Sequence, residues 1–71
     1  MMKATRVLAE WDSSKKRWEV HIHAGSEVIN RPISGQTIES ADDSIRRIAV
    51  ETARDEGYEV SPETVEVMQA R

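Results

Sequence analysis

Two stretches of strict alternation flank a polar pentapeptide: "TRVLAEW" (5–11), "DSSKK" (12–16) and "RWEVHIH" (17–23). In the first, Val7, Ala9 and Trp11 share one face, with Arg6 and Glu10 on the other. In the second, Trp18, Val20 and Ile22 oppose Arg17, Glu19, His21 and His23. Successive strand side chains point to opposite sides, so period two marks a strand with one dry face and one wet face. Asp12 and the serines can hydrogen-bond their own backbone, which makes 12–16 a turn. Two such runs around a short turn predict an antiparallel hairpin. Both tryptophans then fall on the buried face, beneath a covering helix. Leu8 falls on the polar face and is the one anomaly.

The rest of the chain supplies that cover. "HAGSEV" (23–28) reads as the next turn, with Gly25 free to take positive φ. "EVIN" (27–30) reads as a short third strand. Pro32 cannot donate to a ladder, so it ends this strand or marks an edge. Gly35 marks a bend, and "QTIES" (36–40) a further short strand. Residues 40–56 predict a helix. Ser40 is the expected N-cap, with Asp43 reaching back as in a capping box. Asp42 and Asp43 suit the positive end of the helix dipole. Ala41, Ile45, Ile48, Ala49 and Ala53 form an apolar stripe. Arg46, Arg47, Glu51, Arg54 and Asp55 occupy the other face, and Gly57 is a natural C′ residue. In "ETVEVMQ" (63–69), Thr64, Glu66 and Met68 alternate with Val65 and Val67, predicting a final strand. The expected fold is a single α+β domain over residues 1–71: an antiparallel sheet of three to four strands, one helix packed on one face, order β-β-β-α-β.

Size limits what this domain can do. A 71-residue chain buries only roughly 60% of its unfolded surface. With no cysteine, no disulfide and no thiolate zinc site can support it. Oligomerisation remains as a way to bury more apolar surface. "MMKATRVLAEW" lacks an apolar core of signal-peptide length, and no apolar run approaches a membrane span. The cytoplasm is therefore the default expectation. The net charge of −3 is uneven. Residues 1–35 carry six Lys/Arg against four Asp/Glu, or +2; residues 36–71 carry four Arg against nine Asp/Glu, or −5. An acidic second half disfavours a general nucleic-acid coat protein and leaves room for a basic partner.

Two segments carry a family resemblance. "RVLAEWDSSKKRWEV" (6–20) resembles the opening hairpin of small HicB-like antitoxin domains. "ISGQTIESADDSIRRIAVETA" (33–53) resembles the segment that follows it there: a Gly, a short polar strand, acidic residues capping a helix, and an Ala/Ile-striped helix. The strand and helix order is similar to that family's partial ribonuclease-H-like fold. The resemblance spans residues 5–55. It departs at the family's "PDLPGC"-like stretch, of which only Pro32, Ile33 and Gly35 remain in "RPISG", and it leaves no room for the DNA-binding tail of many members. The resemblance implies a non-catalytic module that binds a small basic toxin ribonuclease, often as an oligomer.

Candidate binding residues follow. Asp42, Asp43, Glu51, Asp55 and Glu66 are the expected contacts for a basic protein partner, since charge complementarity assists association. If "ETVEVMQ" lies at a sheet edge, its unpaired backbone can join a second copy, giving a homodimer. Lys15, Lys16 and Arg17 between Trp11 and Trp18 offer an alternative, a nucleic-acid grip; with both rings on the buried face, only three cations remain. His21 and His23 project to one face beside Glu19, but a metal needs further ligands, so surface histidines are expected. The helix dipole accounts for Asp42 and Asp43 without catalysis. No nucleophile–histidine–acid set or Gly-rich phosphate loop is present, so neither an enzyme nor a cofactor is expected. A third reading is a structural or regulatory accessory with no ligand of its own.

Overall fold

The computed structural model describes residues 2–68. In chain order the elements are β1 (Met2–Lys3), β2 (Arg6–Asp12), β3 (Arg17–Ala24), β4 (Glu27–Ile33), α1 (Asp42–Asp55), β5 (Tyr58–Glu59), a 3-10 turn (Pro62–Thr64) and β6 (Glu66–Met68). The hairpin forms as its alternation dictates. β2 and β3 pair antiparallel from Arg6↔His23 to Asp12↔Arg17. Val7, Ala9, Trp18, Val20 and Ile22 have no exposed surface. Trp11 and Trp18 are directly opposed, edge to face, with ring centroids 5.8 Å apart. That geometry sets the positive rim of one ring against the negative face of the other.

β4 continues the meander, antiparallel to β3, after a turn at Gly25 with φ +65°. It runs three residues past the expected "EVIN" and takes in Pro32. The sheet order β4-β3-β2-β6 explains why: β4 is an edge strand, so one side needs no ladder donor. Ile33 closes β4 opposite Trp18 and is buried.

Beyond β4 four local expectations give way. Residues 36–40 form no strand. The Thr37 N–H donates to Ser40 Oγ at 2.9 Å, and the Ser40 N–H returns to the Thr37 carbonyl at 3.1 Å. Ser40 is thereby spent on its own loop. Helix α1 starts at Asp42 with Ala41 as N-cap and no side-chain cap, so the Ser40–Asp43 capping box does not form. Ala41 is exposed and drops out of the apolar stripe, whose buried members are Ile45, Ala49 and Ala53. Gly57 does terminate the helix, at φ +94° with its N–H on the Arg54 carbonyl.

The sheet is also mixed rather than antiparallel. β6 pairs parallel to β2, from Leu8↔Glu66 to Glu10↔Met68. The chain leaves β4 running in the direction of β2, crosses back through α1, and re-enters in the same sense; such a crossover is what parallel pairing requires. A second, two-stranded parallel ladder joins β1 to β5. The order expected from sequence survives as the run β2-β3-β4-α1-β6, with β1 and β5 added. The final strand is shorter than "ETVEVMQ": Pro62–Thr64 is a 3-10 turn, the strand starts at Glu66, and Gln69 lies outside the described residues. No described helix is long and apolar enough to cross a membrane.

Candidate interaction surfaces

Helix α1 lies on one face of the sheet and exposes Asp42, Asp43, Glu51 and Asp55. Glu51 and Asp55 stand one turn apart, and Asp42 and Asp43 open the helix. Among the described residues, none of these four carboxylates forms an ion pair. Some acids elsewhere do: Glu19 with Lys15 and Arg17, Glu56 with Arg31, and Glu66 with Arg6.

Glu66 does not belong to that surface. Its strand neighbour Val67 aligns with buried Ala9, whereas Glu66 aligns with Leu8 on the helix-free face. There Arg6 grips it with two bonds, Nε to Oε2 at 2.6 Å and Nη2 to Oε1 at 2.9 Å. The five residues expected to meet a basic partner thus divide into four on α1 and one on the opposite side of the sheet. Those hydrogen bonds, then the positive charges of Arg6 and His23, hold the Glu66 carboxyl below its ordinary range. A carboxylate with a depressed folded-state pKa stabilises above its unfolded value, roughly 4.3, and loses that contribution as pH falls through the folded value. Protection of the β6 amides is therefore expected to fall on acidification below that range in the wild type. Glu66→Gln should flatten this dependence, as read by hydrogen exchange against pH.

The helix-free face also re-sorts the histidines. Glu19, the acid expected beside them, bonds Arg17 at 3.2 Å and approaches Lys15 at 3.9 Å. His21 instead spans three strands: Nδ1 meets Asn30 Oδ1, and Nε2 lies 3.5 Å from Glu10. Among the described residues, no three His, Cys, Asp or Glu side chains gather as metal ligands. Half-buried Leu8 sits opposite His21 between these polar pairs, which explains how an apolar residue is tolerated there.

The hairpin tip is held by Asp12, whose Oδ1 accepts from the N–H groups of Ser14 and Lys15 at 2.9 and 3.2 Å. Lys15 and Lys16 are exposed. Trp18 offers no face to a base: it is wholly buried and its Nε1 donates to the Thr37 carbonyl at 2.7 Å. Trp11, half-buried, packs against the core and meets Trp18 edge to face. Of the two rings, Trp18 is therefore out of reach of a base, while Trp11 keeps part of its surface exposed.

Arg46 departs from its expected place on the solvent face. It is half-buried, and its Nη1 donates to the carbonyls of Pro62, at 3.1 Å, and Val65. No spacing in the sequence marks this contact, which joins the helix to a segment sixteen or more residues away. Beside it lies a groove of about 680 Å³ between α1 and the 3-10 turn, where Arg47 and Arg54 mingle with Asp43, Glu51 and Glu63. At the sheet margins, β4 and β6 are the two edge strands, and Met68 on β6 is 48% exposed. Compared with protein-family models, curated proteins and solved structures, the chain matches none.

Proposed function

We propose that this chain is a small cytoplasmic protein-interaction module of HicB-like kind, which holds a basic protein partner against the outer surface of α1 and performs no catalysis of its own. The observation that carries this reading is the set of four carboxylates, Asp42, Asp43, Glu51 and Asp55, that are exposed and have no ion-pair partner among the described residues. On the sheet, Glu19 and Glu66 are paired with cations of the chain, whereas these four carboxylates have no such partner among the described residues. The run β2-β3-β4-α1-β6 supports the reading further, since it contains the order that the HicB-like resemblance implies. A small basic ribonuclease is the partner that resemblance suggests. The edge position of β6 supports pairing with a second copy, because an edge strand presents unpaired N–H and C=O groups.

The test is capture of basic proteins from the source cell at low and high salt. The wild type is expected to retain a small basic protein at low salt and release it at high salt. The variant Asp42→Asn, Asp43→Asn, Glu51→Gln, Asp55→Asn should retain at least about tenfold less, since each desolvated or rim charge contributes to affinity and on-rate. Equal retention by both proteins, or no basic protein under either condition, sinks the proposal.

A further inference from the structure

The hairpin tip and the loop after β4 enclose a notch of about 360 Å³, and its lining is chemically one-sided. Lys16, Arg17, Ser34 and Gln36 contribute polar groups, with Ile33 and Gly35 between them. Two larger concavities along α1 each mix acids with cations. The notch holds two cations and no acid. We propose that it is a binding site for a phosphate group, carried either by a small phosphorylated molecule or by a single nucleic-acid strand. This goes beyond the partner-binding role of α1 and stands on different residues.

The nearby acids are already committed. Asp12 accepts two backbone N–H groups, and Glu19 accepts from Arg17 Nη2 at 3.2 Å. Lys16 makes no ion pair with any described residue, and its backbone sits at φ +54°, turned out of the strand path. Arg17 pairs with Glu19 through Nη2 at 3.2 Å, while its Nε is buried without an acceptor. The planar guanidinium, an ammonium, a hydroxyl and an amide together suit a tetrahedral group with several acceptor oxygens. The wall on the other side is fixed in advance. Trp18 Nε1 holds the Thr37 carbonyl at 2.7 Å, the Thr37 N–H is bonded to Ser40, and Gly35 takes φ +81°. A preformed wall spares the ordering cost of binding. Since Trp18 is buried, base stacking adds nothing here, and the phosphate is the feature recognised.

Amide shifts in a two-dimensional NMR titration test this, with inorganic phosphate in one arm and a short uridine oligonucleotide in the other, both against chloride at matched ionic strength. Saturable shifts at Lys16 and Gly35 are expected. Lys16→Gln should weaken binding about fivefold, the scale of one exposed ion pair. Lys15→Gln, outside the notch lining, should change it by less than about twofold. Oligonucleotide binding about tenfold or more tighter than inorganic phosphate assigns the group to a strand, where neighbouring phosphates add contacts; comparable affinities assign it to a small molecule. Absence of saturable shifts in both arms, or equal losses in the two lysine variants, overturns the site.

Discussion

Trp18→Ala is expected to leave the domain barely folded, whereas Trp18→Phe keeps it folded with a reduced midpoint. Trp18 has no exposed surface and closes the sheet where β3 meets Ile33 of β4 and Trp11 of β2. Truncating a buried tryptophan to alanine costs about 3–5 kcal/mol through lost transfer energy and the cavity left behind. A chain of 71 residues has a total stability of only about 4–10 kcal/mol at the usual per-residue value. The deletion therefore takes a third of the margin at the least and the whole of it at the most. The indole also carries the bond to the Thr37 carbonyl that fixes the loop 34–40. Phenylalanine fills most of the space but removes one of the two donors to that carbonyl, the Ser40 N–H remaining, a loss of about 1 kcal/mol. Urea unfolding followed by circular dichroism separates the two. A Trp18→Ala transition close to that of the wild type would contradict the placement of this side chain at the centre of the core.

The elements that could be read from sequence are those decided locally. Alternation in 5–11 and 17–23 fixes which faces are dry, and a two-residue period allows no compromise in register. Hence the hairpin, the opposed tryptophans and the stray Leu8 all stand where the pattern puts them. Ser40 failed for a local reason of another kind. Its hydroxyl can cap a helix or bond the Thr37 N–H three residues back, and one oxygen serves the nearer loop. The mixed sheet could not be read this way. Glu66–Met68 alternates equally well in parallel or antiparallel pairing, and only the return of α1 across the sheet decides the direction. The short β1–β5 ladder joins residues more than fifty positions apart without a hydrophobic period to announce it. The candidate site divides along the same line. On α1, Glu51 and Asp55 follow from helical spacing and Asp42 and Asp43 from their place in the first turn, while the removal of Glu66 depends on Arg6, sixty positions earlier.

Arg46 links these non-local features, and its replacement is the second large expected effect. Its Nη1 donates to the carbonyls of Pro62, the first residue of the 3-10 turn, and Val65, the residue after it, where the turn delivers the chain into β6. Hydrogen bonds from a charged donor contribute about 1.5–3 kcal/mol each, and the Pro62 carbonyl keeps the Val65 N–H at 3.2 Å when the guanidinium is gone. Because the two bonds share one guanidinium and the pocket is partly wet, Arg46→Met should lose about 2–3 kcal/mol rather than twice the single value. Methionine keeps an apolar stem against the helix flank, so the loss reports the bonds and not the packing. Lysine restores the charge but places one compact ammonium between two carbonyls, and Arg46→Lys should recover only part of the stability. The damage should also be local before it is global. β6 is three residues long, pairs on one side with β2, and depends on Val65, buried beneath α1, for its approach to the sheet. In Arg46→Met, hydrogen exchange should therefore accelerate first at Val65–Val67, with the β2–β3 amides still protected by the seven-pair ladder between them. Uniform acceleration across the whole sheet would instead show that β6 opens only with the rest of the domain, and that Arg46 does not hold it separately.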